Sequence, residues 1–118
     1  MNTQEIANDL VNLCKEGKFD ESGEKYWADD VVSVEPAGDN AVSRGKAAAR
    51  AKGEWWAKNH EVRDVKVEGP YVNGDQFAVR FIMDVTDKTS GQQMHMDEIG
   101  LYTVKNDKIA EERFLYGG

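Results

Sequence analysis

The sequence predicts an α+β domain. Apolar residues in the first half recur at helical spacing, as in Ile6, Leu10, Leu13 and Cys14. From Glu61 onward they alternate with polar ones, as in Phe77, Val79, Phe81, Met83 and Val85. The resulting order is helix, helix, strand, helix, then a four-strand antiparallel meander, which segregates helices from strands. With 118 residues and 40% apolar content, the chain makes a single domain, 1–118, with one modest core.

The first helix is predicted from Gln4 to about Glu16, with Thr3 as its cap, Glu5 facing the positive end of the dipole and Gly17 as the stop. Asp20 caps a second, short helix reaching about Ala28, and Phe19 staples the corner. Val31, Val32 and Val34 then favour a strand, because branched side chains pack well on a pleated surface. Pro36 has no N–H to give, so the ladder ends there. Glu35 is left at the strand end, beside an apolar run and close to Tyr26 and Trp27. A loop follows from Ala37 to Ser43, with Gly38, Asp39 and Asn40 as turn formers.

A third helix starts near Gly45 and reaches about Asn59, favoured by its alanines. Ala47, Ala51 and Trp55 fall on one face, with Trp56 beside them. Small residues followed by a large one suit a helix that approaches a sheet at one end and caps a cavity at the other. The basic residues Arg44, Lys46, Arg50 and Lys52 read as a solvated helix face.

Val62, Val65 and Val67 open the meander, Gly69-Pro70 breaks that strand, and Asn73-Gly74 supplies a tight turn. The next strand runs from Phe77 to Thr86, a turn covers Asp87 to Gln92, and two long strands follow, Gln93 to Val104 and Lys108 to Tyr116. Two registers compete for that last pair. A two-residue turn at Asn106-Asp107 pairs Val104 with Ile109 and sets Ile99 beside Phe114. A three-residue turn with a bulge pairs Val104 with Lys108, Gly100 with Glu112 and Glu98 with Phe114, and needs a left-handed Asp107. A slip of one residue moves a whole set of side chains to the other face.

Composition excludes several classes. A net charge of −7 argues against nucleic acid and anionic membranes. No apolar run is long enough to span a bilayer, and the first residues do not read as a signal peptide. The single cysteine, Cys14, excludes an internal disulfide and reads as a small buried hydrophobe. A cytoplasmic setting fits these points. His60 and His95 lack metal-ligand spacing and read as surface residues. There is no phosphate loop, and no cofactor or metal is expected.

Three stretches carry a family resemblance: Ala28 to Gly38, the Arg44-Gly45-Lys46 helix start, and Tyr102 to Ile109. In order and spacing they resemble the SnoaL-like branch of the nuclear transport factor 2-like superfamily, over nearly the whole chain. The resemblance implies a cone: a strongly curved antiparallel sheet wrapped around three N-terminal helices (a cystatin-like α+β roll), with a pocket inside and dimerisation through the sheet. It favours the three-residue turn. The superfamily includes ketosteroid isomerase, polyketide cyclases, dehydratases and members that only bind or assemble. Fold alone does not choose among these.

Glu35 matches the acidic residue before a proline that serves ketosteroid isomerase as general base. The oxyanion donors do not carry over. Leu10 and Gly100 stand near the positions where a tyrosine and an aspartic acid are expected, so steroid isomerisation is rejected. The expected concave face holds Met96, Glu98, Glu112, Phe114 and Tyr116, with Tyr102 further along. Glu35, Glu98 and Glu112 then share a pocket, where crowding and burial raise at least one carboxyl pKa. Tyr102 or Tyr116 is the expected hydrogen-bond donor, and Trp27, Trp55, Met83, Met96 and Phe114 are the expected apolar walls. The expected partner is a small, largely apolar molecule, with a second copy of the chain bound through Ile82, Ile99 and Leu101. Cofactor-independent isomerase, cyclase or dehydratase-like chemistry on a carbonyl compound is one reading. A non-catalytic binding or accessory dimer, or a structural dimer with a filled cone, are the others.

Overall fold

A computed structural model describes residues 1–36, 38 and 41–116. Helix α1 (Thr3–Lys15) and helix α2 (Phe19–Tyr26) lead into strand β1 (Trp27–Val34), and strand β2 (Val42–Arg44) precedes helix α3 (Lys46–Asn59). The meander follows as β3 (His60–Asn73), β4 (Gln76–Asp87), β5 (Gln93–Lys105) and β6 (Lys108–Leu115). All strands join one unclosed sheet in the order β2-β1-β6-β5-β4-β3. Every neighbouring pair is antiparallel except β1 and β6, which run parallel. The α+β expectation, with three helices packed on a curved sheet, holds.

Helix α1 is capped by Asn2 rather than Thr3. The Asn2 side chain accepts from the Glu5 N–H at 2.9 Å, and the Glu5 carboxylate accepts from the Asn2 N–H at 3.3 Å, so each satisfies an otherwise unpaired donor. Its apolar stripe (Ile6, Leu10, Val11, Cys14) packs with Phe77, Val79, Phe81 and Val85 of β4 to make the core. Cys14 is buried as expected. Helix α2 begins one residue before Asp20, with no side-chain cap, and stops at Tyr26, so Trp27 and Ala28 belong to a strand rather than a helix. Strand β2 lies where the sequence reads as loop: Val42, Ser43 and Arg44 pair with Val34, Ser33 and Val32. The expected turn residues Asp39 and Asn40, with Ala37, lie outside the described residues.

The expected break at Gly69-Pro70 is a bulge instead. Strand β3 continues to Asn73, with its register shifting between Glu68 and Tyr71. The sheet tolerates a proline there because β3 is an edge strand, where a missing N–H costs no ladder bond.

The last hairpin follows neither expected register throughout. Its turn is the two-residue one: Asn106 and Asp107 are both left-handed, at φ 52° and 62°. Val104 accordingly pairs with Ile109. The register then shifts at Ala110, so Thr103 faces Glu111, Tyr102 faces Glu112 and Gly100 faces Phe114. The favoured three-residue turn is therefore corrected. Its concave set survives, because the bulge restores even-with-even pairing: a shift of two residues leaves every side chain on its original face.

The buried side of α3 also differs from expectation. Ala49 is buried and Lys52, Gly53 and Trp56 are half-buried, whereas Ala47, Ala51 and Trp55 are exposed. Among the described residues, no helix is long and apolar enough to cross a membrane.

Candidate functional site

Helices and sheet enclose an open cavity of about 1300 Å³. Strand β5 sends Met96, Glu98, Gly100 and Tyr102 to its concave face, and the Ala110 bulge sends Glu112, Phe114 and Tyr116 to the same side. Strand β1 delivers Ser33 and, at its end, Glu35. Helix α3 contributes Lys52, Trp55 and Trp56. All ten residues expected to form the site border the cavity: Trp27, Glu35, Trp55, Met83, Met96, Glu98, Tyr102, Glu112, Phe114 and Tyr116. Their surroundings differ sharply.

Glu112 is 6% exposed and both of its oxygens are occupied. The Trp27 indole N–H donates to Oε1 at 2.7 Å and the Ser33 hydroxyl donates to Oε2 at 2.7 Å. Two such donors compensate a buried carboxylate for the water it has lost. Ser33 in turn accepts from the Lys52 ammonium. Lys52 also donates to Glu35 Oε1 at 2.9 Å, and its Nζ stands 5.2 Å from the centre of the Phe114 ring. The remaining Glu35 oxygen accepts from the Tyr116 hydroxyl at 3.0 Å. One chain of contacts thus runs from Trp27 through Glu112, Ser33, Lys52 and Glu35 to Tyr116. Burial and the bond to Glu35 push the Tyr116 phenol up to about 12.

Glu98 stands outside this chain. Among the described residues its carboxylate has no hydrogen-bond or ion-pair partner. Burial, then the nearby Glu35 charge, push it up to about 7, partly offset by Lys52. The Tyr102 hydroxyl is also without a partner among the described residues. Tyr102 is 5% exposed, and its phenol is raised well above the ordinary value by burial and by the Glu112 charge. Its ring stacks on Phe77 at 4.8 Å and meets Phe114 edge-on at 6.3 Å.

The aromatic residues divide between wall and mouth. Met83 is buried in the core face of β4, while Trp55 is 62% exposed. Trp56 stacks on His60 at 4.7 Å, and the His60 Nδ1 lies 2.9 Å from the Trp56 carbonyl. His60 is therefore half-buried rather than a surface residue. His95 is exposed, 2.9 Å from Asp84.

Sequence reasoning passed over Ser33 and Lys52. Lys52 was grouped with the solvated basic residues, and Lys46 and Arg50 do reach outward to Glu24. The available signal was spacing: Lys52 lies three residues after Ala49 and four before Trp56, on the stripe that is buried.

Comparison with known proteins agrees with this architecture. The SnoaL-like domain family matches residues 1–116. A Mesorhizobium loti protein, provisionally assigned as a SnoaL-like polyketide cyclase, is 57% identical over 98% of this chain and 100% of its own, with a TM-score of 0.95. A nuclear transport factor 2-like protein from Burkholderia pseudomallei shares the fold at 13% identity, over 99% of this chain and 92% of that one (TM-score 0.81). A provisionally assigned isomerase from Bacillus subtilis does so at 18% identity, over 97% and 88% (TM-score 0.79). No curated protein matches the chain. This chain belongs to the SnoaL-like domain family and has the fold of nuclear transport factor 2-like proteins.

Proposed function

We propose that the cavity carries out cofactor-independent acid–base chemistry of isomerase, cyclase or dehydratase type on a small, largely apolar carbonyl compound, with Glu98 as the group that takes and returns the proton. One observation carries this reading: of the three cavity glutamates, Glu98 alone has no protein partner among the described residues, and it titrates near neutrality. A general base is most effective when its pKa lies close to the working pH. The resemblance gives the base role to Glu35. We move it to Glu98 because both Glu35 oxygens already accept hydrogen bonds, from Lys52 and Tyr116. Glu112 is likewise held by Trp27 and Ser33 and braces the cavity floor. The chemistry needs no co-reactant. Glu98 removes a proton from the carbon beside the carbonyl, the electron pair moves to oxygen, and the proton returns at the same or a conjugated carbon. The provisional polyketide-cyclase assignment of the Mesorhizobium loti relative is in keeping with carbonyl chemistry.

We propose further that two copies pair through the outer face of the sheet in the cytoplasm. Ile82, Ile99 and Leu101 stand half-buried there, beside the ion-paired row Glu68, Arg80 and Asp97.

The test uses 2-tetralone, an apolar ketone whose acidic protons exchange with deuterated water and are followed by proton NMR. The wild-type protein should accelerate exchange, and Glu98→Gln should lose about 100-fold or more of that acceleration. Saturable binding with no acceleration in the wild type would replace this reading with that of a non-catalytic ligand-binding protein.

A further inference from the structure

Strand β5 lacks a side chain at position 100, between Glu98 and Tyr102 on the concave face. The backbone does not demand glycine there, since Gly100 does not adopt the left-handed φ that marks six other glycines among the described residues. The reason is space. A Cβ on Gly100 would lie 2.9 Å from Cε2 of Tyr102, 3.0 Å from its hydroxyl oxygen and 3.2 Å from Cζ. The phenol therefore fills the volume that a side chain at position 100 would take, and it leans back along the strand toward Glu98. Phe77 stacks on the ring and Phe114 abuts it edge-on, so the ring is held in that pose. The result is a hydroxyl with no protein partner among the described residues, open to the cavity rather than sealed in the protein, since no fully buried side-chain oxygen or nitrogen among those residues lacks a partner. A donor so placed can give its hydrogen bond to a ligand oxygen in place of water.

We propose that Gly100 is a specificity-determining residue: by leaving a slot for the Tyr102 ring, it sets the hydroxyl on the Glu98 side of the cavity floor as the donor for a ligand oxygen. The ligand class is then an apolar molecule whose carbonyl, or other oxygen acceptor, lies next to the group that approaches Glu98. The Tyr116 hydroxyl does not serve, because it already donates to Glu35. The inference rests on the acid–base reading only for the role of Glu98; the oxygen site stands on its own geometry.

The experiment binds 2-tetralone carrying a carbon-13 label at its carbonyl and records that carbon by NMR. Hydrogen-bond donation moves the signal downfield. The wild type should show the shift. Tyr102→Phe, which keeps the ring and its packing, should abolish it and weaken binding by up to about tenfold, the worth of one hydrogen bond. Gly100→Ala, which keeps every polar group, should also abolish it by expelling the ring from its slot. Should Gly100→Ala fail to fold, adding Tyr102→Val should restore folding; failure of that double variant to fold overturns the slot. An unchanged carbonyl signal in Tyr102→Phe, or no saturable binding to the wild type, overturns the oxygen site. A shifted carbonyl without proton exchange would overturn only the acid–base reading.

Discussion

At the scale of the residue, the cavity separates carboxylates by what touches them. Glu98 titrates at about 7 in the folded protein against 4.5 for an ordinary glutamate. Between those values the native state keeps a proton that the unfolded chain has lost. Its contribution to stability is therefore complete below about pH 4.5 and disappears as pH rises through about 7, a loss on the order of 3 kcal/mol. Glu98→Gln should remove that loss. In urea denaturation the variant should match the wild type near pH 4 and exceed it near pH 8. Exchange of 2-tetralone should rise with pH through about 7 and then level off, because the carboxylate is the base. A midpoint near 4.5 would transfer the role to another carboxylate. Glu112→Ala makes a contrasting case, since it strands the Trp27 indole N–H and the Ser33 hydroxyl and leaves no oxygen in their place. It should cost about 3 kcal/mol by denaturant unfolding. Little of this contrast was legible in the sequence. The concave location of Glu98 and Glu112 follows from the register that the resemblance favours, but the partners of Glu112 are Trp27 and Ser33, 85 and 79 residues away in the chain.

At the scale of the element, two junctions place the site. The first is the corner between α2 and β1, where Gly23 lets the Trp27 indole lie flat. A Cβ on Gly23 would come within 2.7 Å of three indole atoms. Gly23→Ala should therefore destabilise the protein by about 1–3 kcal/mol, since Trp27 is pinned by Glu112 and cannot easily move aside. The Gly23 in the sequence reads only as a weak helix position, because its close neighbour lies outside the helix. The second junction is the Ala110 bulge. Deleting Ala110 would slide residues 111–116 by one place and turn Glu112, Phe114 and Tyr116 to the outer face. The deletion should abolish cooperative thermal unfolding. Alternation revealed both strands, and the register favoured by the resemblance supplied the concave set. A bulge adds one residue without altering composition, so no local pattern announces it. Strand β2 escaped notice for a related reason: three residues are too short for a periodicity, and it exists only because β1 offers an edge.

At the scale of the whole molecule, the architecture was far more legible than the chemistry. Helical spacing, alternation and turn residues act through near neighbours, so the order of elements follows from the sequence, while the parallel contact of β1 with β6 is a long-range matter. The proposed dimer predicts that sedimentation will report twice the 13.2 kDa chain mass. Leu101→Lys, on the outer face, should shift the distribution to single chains while leaving the cavity's chemistry in place.

The bulge at Gly69-Pro70 has a consequence for how crowded molecules meet. Strand β3 is a 14-residue edge, long enough to recruit a strand from a neighbouring molecule. Pro70 withholds one donor from such a recruit, and the register shift beside it makes the two halves of the edge present mismatched ladders. Arg63, Asp64, Lys66 and Glu68 add charges along the same border. An approaching strand would meet an interrupted, charged margin rather than a uniform template.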